Sequence, residues 1–117
     1  MNLKTETREA DGISIVTCTG KIIFGEEANT LRDVLKKRLS QTKHIVLNLS
    51  GISYIDSGGL GTLVGVYSSA RSAGADIKMV GLSPRLRDVL TITKLAAVFE
   101  MYESDSQAVA AFWHHPA

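Results

Sequence analysis

Ile45-Val46-Leu47-Asn48-Leu49-Ser50-Gly51-Ile52-Ser53-Tyr54-Ile55-Asp56-Ser57-Gly58-Gly59-Leu60-Gly61 joins a short apolar run to a glycine-rich helix start. The run Ile45 to Leu49, followed by Ser50-Gly51, reads as a central strand buried on both faces, because both alternating sets of side chains are apolar. From Asp56-Ser57 onward the period changes. Leu60, Leu63, Val64, Tyr67 and Ala70 form one apolar stripe at helical spacing, Gly74 provides the stop, and Ser57 is the natural N-cap.

Outward from this segment the same alternation continues. Thr5 to Arg8 and Ile13 to Thr19 read as strands joined by the turn signal Asp11-Gly12, with Ile13, Ile15 and Thr17 on one face. Gly20 to Gly25 reads as a loop, and then Ala28, Leu31, Leu35 and Leu39 mark an amphipathic helix whose Arg32, Asp33, Lys36 and Lys37 form a solvated face. Downstream, Ile77 to Val80 is a strand, and Ser83-Pro84 caps a helix that buries Leu86, Val89 and Leu90. Val98 to Tyr102 is a last strand, and Ser104 with Gln107 forms a capping box for a terminal helix ending near Trp113. Parallel neighbours need crossover helices, so this order implies an α/β fold with a mixed sheet of about four to five strands and an opening hairpin.

With 117 residues and 44% hydrophobic content, the chain suits one core and one domain over residues 1–117. Thirteen Lys and Arg against twelve Asp and Glu leave no positive excess to hold a phosphate backbone or an anionic bilayer, so neither nucleic acid nor membrane is an expected partner. The start, Met1 to Glu6, lacks a basic segment followed by an apolar run, and no stretch reaches membrane-spanning length; a cytoplasmic location is expected. The one cysteine, Cys18, lies among apolar and β-branched neighbours and reads as a small core residue in a reducing compartment.

Gly58, Gly59, Gly61 and Gly65 crowd the first turns of a helix, where each costs about 1 kcal/mol relative to alanine. Glycines there admit tight packing on the sheet, or the close approach of another chain or an anion to bare amides. An enzyme with Ser57 as nucleophile would need a general base, yet the histidines are His44, at a strand start, and His114-His115 at the carboxyl end. Asp56-Ser57-Gly58-Gly59 is not the G-x-S-x-G elbow of hydrolases. The Lys-Ser/Thr of a P-loop is missing, and Val64 stands where the third glycine of G-x-G-x-x-G belongs. No catalytic residue, cofactor or metal site is therefore expected.

The stretch Ile45 to Leu49 with Ile52 to Gly61, together with Gly81-Leu82-Ser83-Pro84 and Leu90-Thr91-Ile92-Thr93-Lys94-Leu95, resembles the signature of STAS domains, in order along nearly the whole chain. The resemblance implies a STAS-like fold with helices mainly on one face of the sheet. It extends to the bacterial anti-sigma factor antagonists of that family, in which the serine directly after the aspartate is phosphorylated by a serine kinase that is also the anti-sigma factor. That serine is Ser57 here. By the same resemblance the unphosphorylated form binds the kinase and releases a sigma factor, a PP2C-type phosphatase restores it, and Asp56, Ser57, Gly58, Gly59, Gly61, Lys21 and Phe24 face the partner. Those antagonists usually carry Gly-Glu-Leu/Ile-Asp before the first helix, where this chain has Gly20-Lys21-Ile22-Ile23-Phe24-Gly25. Gly58 stands where they often have Ser, Thr or Ala. Ile22 and Ile23 either continue a strand into the core or belong to the partner-facing loop. A constitutive scaffold STAS module without a phospho-switch is the alternative reading.

Overall fold

The computed structural model describes residues 3–92, 94 and 99–113. Strands β1 (Leu3–Ala10) and β2 (Ile13–Ile22) form an antiparallel hairpin. Its turn residues Asp11 and Gly12 both have positive φ, 53° and 78°, the geometry whose twist matches that of the flanking strands. Helix α1 (Glu26–Leu39) carries the chain to β3 (His44–Ile55), parallel to β2, and α2 (Ser57–Ser72) carries it to β4 (Asp76–Val80), parallel to β3. After α3 (Pro84–Ile92) come β5 (Met101–Tyr102), parallel to β4, and α4 (Asp105–Trp113). The sheet order is β1-β2-β3-β4-β5, so β3 lies at its centre, as its two apolar faces require.

Alternation along the strands feeds two cores. Val16, Cys18, Ile45 and Leu47 pack under Leu31 and Leu35 of α1, Leu63 and Tyr67 of α2, and Leu86 and Leu90 of α3. On the opposite face Ile13, Ile15, Val46 and Val80 pack under Ala108 and Phe112 of α4. Among the described residues, α1, α2 and α3 thus share one face and α4 covers the other. The side-chain caps expected for α3 and α4 form: Leu86 N donates to Ser83 Oγ at 3.2 Å, and Gln107 N to Ser104 Oγ at 3.2 Å.

Several boundaries differ from the sequence reading. β2 runs to Ile22, which is fully buried, so the loop expected from Gly20 begins only at Ile23 and Ile22 does continue into the core. β3 does not end at Ser50-Gly51 but extends to Ile55. A Cβ on Gly51 would lie 2.9 Å from the Cys18 carbonyl oxygen, and the β2–β3 register shifts between Thr17 and Thr19, so this glycine accommodates an irregularity instead of ending the strand. The last strand is only Met101–Tyr102; Val98 lies outside the described residues, as do His114 and His115. Cys18 is fully buried and its thiol is pushed up to about 12 by burial, which suits an inert core residue.

Within β4, Lys78 is 1% exposed and directed to the α4 side. Its ammonium pairs with Asp76 at 3.2 Å and with Glu100, and sits 4.7 Å from the centre of the Phe112 ring. Burial alone lowers the Lys78 pKa, but the hydrogen bonds to Glu100 and Asp76 outweigh it and the net direction is up.

Candidate functional site

The end of β3 and the start of α2 converge on the end of β2. Asp56 has extended backbone, φ −92° and ψ 177°, and its carbonyl accepts the first helical bond, from Leu60 N at 2.9 Å. Asp56 is therefore the N-cap and Ser57 the first helical residue, which corrects the expectation that Ser57 caps the helix. The reason is in the acceptors. A carboxylate at position 56 satisfies two sets of donors: Oδ1 accepts from Gly59 N at 2.7 Å, and both oxygens lie 3.1 Å from Phe24 N. The hydrogen bond from Gly59, then that from Phe24, holds the Asp56 carboxyl below the usual aspartate value.

Asp56 thus fixes the loop after β2 to the first turn of α2, while its own amide donates to Ile22 O at 3.2 Å. Ser57, no longer needed as a cap, is exposed at the positive end of the helix dipole. No acidic side chain occupies the first turn of α2.

The four glycines divide into two pairs. A Cβ on Gly59 would stand 2.2 Å from Ile22 O, and one on Gly58 would stand 2.5 Å from Phe24 Cβ. These two let α2 start against the end of β2 and the following loop, and they have a structural role. Gly61 and Gly65 meet nothing within 4 Å and open onto a groove between α1 and α2.

The contact between Gly58 and Phe24 joins two of the chain's departures from the antagonist pattern. A larger residue at position 58 would collide with Phe24 where it stands, so the small residue and the aromatic one fit together. Phe24 remains 75% exposed, an uncommon position for a phenylalanine and a ready apolar contact for a partner.

Of the seven expected partner-facing residues, Asp56, Ser57, Gly58, Gly59 and Phe24 gather at this one point, with Gly59 buried beneath it. Gly61 lies one turn along α2. Lys21 does not join them in the same way: it pairs in register with Tyr54, and as the strand neighbour of inward-pointing Ile22 it falls on the opposite face of the sheet. Sequence reasoning missed the Asp56–Phe24 tether, since no local pattern links residues so far apart. It also read Arg32 and Lys36 only as a solvated face, although both line the groove beside Gly61 and Gly65. Their spacing of four was the available signal.

Among the described residues no three His, Cys, Asp or Glu could jointly hold a metal, and no helix is long and apolar enough to cross a membrane.

Residues 4–108 match the family described as STAS domain. The chain is 34% identical over 104 residues to an anti-sigma-B factor antagonist of Listeria monocytogenes, covering 86% of this chain and 90% of the relative. It superposes on the crystal structure of an anti-sigma factor antagonist from Mycobacterium paratuberculosis with a TM-score of 0.82 at 23% identity, covering 96% and 95% of the two chains. The phosphorylated form of the Bacillus cell fate determinant SpoIIAA shares the fold at a TM-score of 0.73 and 14% identity, covering 93% of this chain and 99% of that one. Matched over residues 4–108, the chain belongs to the STAS domain family.

Proposed function

We propose that this STAS domain is a cytoplasmic anti-sigma factor antagonist, a protein-binding switch and not an enzyme, controlled by phosphorylation of Ser57. Unphosphorylated, it sequesters an anti-sigma factor that is also the serine kinase; phosphorylated, it releases it; a PP2C-type phosphatase resets it. The names of its relatives support the antagonist role. The observation that carries the switch is the exposed hydroxyl of Ser57 at the first position of α2, on a backbone held by the Asp56 cap.

The physical argument has two sides. A phosphate adds about −1.5 to −2 charges. At a helix start it meets amide donors and the favourable end of the dipole, so the isolated domain tolerates it. A partner docked over Ser57 meets a desolvated anion next to Asp56, and a loss of about 3 kcal/mol would weaken binding on the order of a hundredfold. Because Ser57 is not the cap, Ser57→Asp adds an acidic side chain to the first turn without removing the Asp56 bonds, and the fold should hold.

The test is a pull-down from the source cell with wild type, Ser57→Ala and Ser57→Asp, with bound proteins and bait phosphate identified by mass spectrometry and folding checked by thermal melts. An anti-sigma kinase held by wild type and Ser57→Ala but lost with Ser57→Asp, with phosphate on Ser57 of the wild type, is the expected result. Equal capture by all three without phosphate would replace the switch with a constitutive scaffold module. An unfolded Ser57→Asp would refute the account of the helix start.

A further inference from the structure

The groove between α1 and α2 encloses about 470 Å3 and begins at Phe24 and Gly58, beside Ser57. On its α2 side Gly61, Gly65 and Ser69 recur every four residues, so they share one helix face and leave the backbone nearly bare. The fold itself does not explain the two glycines: added Cβ atoms would touch nothing, and alanine would favour the helix by about 1 kcal/mol at each. On the α1 side stand Arg32 and Lys36, one turn apart, and among the described residues no carboxylate lines the groove. The surface is therefore shaped for close approach, cationic along one wall, and continuous with the serine site.

We propose that this groove is the docking track for an acidic helix of the partner protein, packed against Gly61 and Gly65 with its carboxylates toward Arg32 and Lys36. That this partner is an anti-sigma factor rests on the function proposed above. Close approach to bare backbone gives the helix its seat, and the unopposed cations select its charge. A second copy of this chain is a poorer occupant, because a two-fold contact through this face would set the basic pair against itself. Phosphate on Ser57 would place negative charge at one end of the track, where an acidic helix is least able to accept it.

The test titrates the 15N-labelled full chain with synthetic helical peptides of equal length that share an alanine face and differ only in bearing glutamate or lysine beside it. The glutamate peptide should shift the amides of Gly61, Gly65 and Ser69 and bind at least about tenfold more tightly than the lysine peptide. The double variant Arg32→Glu, Lys36→Glu should reverse that order, and Gly65→Leu should abolish the shifts while melting at least as high as wild type. Equal binding of the two peptides, or shifts confined to other surfaces, would overturn the proposal. Shifts of the same amides on concentrating the protein alone would overturn it in favour of self-association. In the pull-down, an anti-sigma factor captured equally by wild type and Gly65→Leu would remove the groove and leave the antagonist reading intact. Capture of no anti-sigma factor would remove that reading and leave the peptide result standing.

Discussion

The packing under α4 and the junction at the start of α2 are closed by different means. Under α4 the closure is made by side chains: Lys78 with Asp76 and Glu100 beneath Phe112, and His44 against the rings of Phe112 and Trp113 at 4.8 and 5.2 Å. At the start of α2 it is made largely by backbone, with Ile22 O beneath Gly59 and the amides of Phe24 and Gly59 on the Asp56 carboxylate. A face closed by side chains spends its functional groups on the fold. A junction closed by backbone and one carboxylate keeps its outer surface, here Ser57, Phe24 and the groove, for another molecule.

Substitutions at the two places should separate these modes. The largest effect is expected from Lys78→Ala, which leaves Asp76 and Glu100 without their shared cation and opens space under Phe112, at a loss of about 3 kcal/mol in chemical denaturation. Lys78→Met keeps the volume and should recover most of that loss; equal losses for the two would mean that the charge, not the filling of space, closes this face. Next is Gly59→Ala. Its methyl can fit only if the backbone at Ile22 moves, costing about 2 kcal/mol, and a neutral result would break the picture of a backbone-closed junction.

Asp56→Ala should have a smaller destabilising effect and free the Phe24 loop, seen as faster hydrogen exchange at the Phe24 and Gly59 amides. The same tether has a pH signature. The folded-state pKa of Asp56 is lowered, so its contribution is present above the ordinary value of 3.8 and is lost as pH falls through the depressed folded value. The Gly59 and Phe24 amide shifts should therefore titrate below pH 3.8, and a midpoint above it would contradict the hydrogen bonds. The smallest effect has the opposite sign: Gly65→Ala, in open space, should stabilise the domain by about 0.5 to 1 kcal/mol.

The order of elements, the central place of β3, the capping of α3 and α4, and Asp56-Ser57 as a candidate site were all legible in the amino-acid order. These follow from patterns within a few residues of one another: two-sided apolar runs, helical stripes, caps and a two-residue turn. Which residue caps α2 was not legible there, because the choice between Asp56 and Ser57 turns on the distant amide of Phe24. The same holds for the glycines. In sequence they form one cluster; in space Gly58 and Gly59 press on β2 and the loop after it, whereas Gly61 and Gly65 face solvent beside Arg32 and Lys36. Lys78 was hidden for a related reason, since a lysine becomes a buried cation only when β4, Glu100 and α4 are brought together around it. Local pattern fixes what a segment becomes, but which of its atoms are in use depends on what the fold places against them.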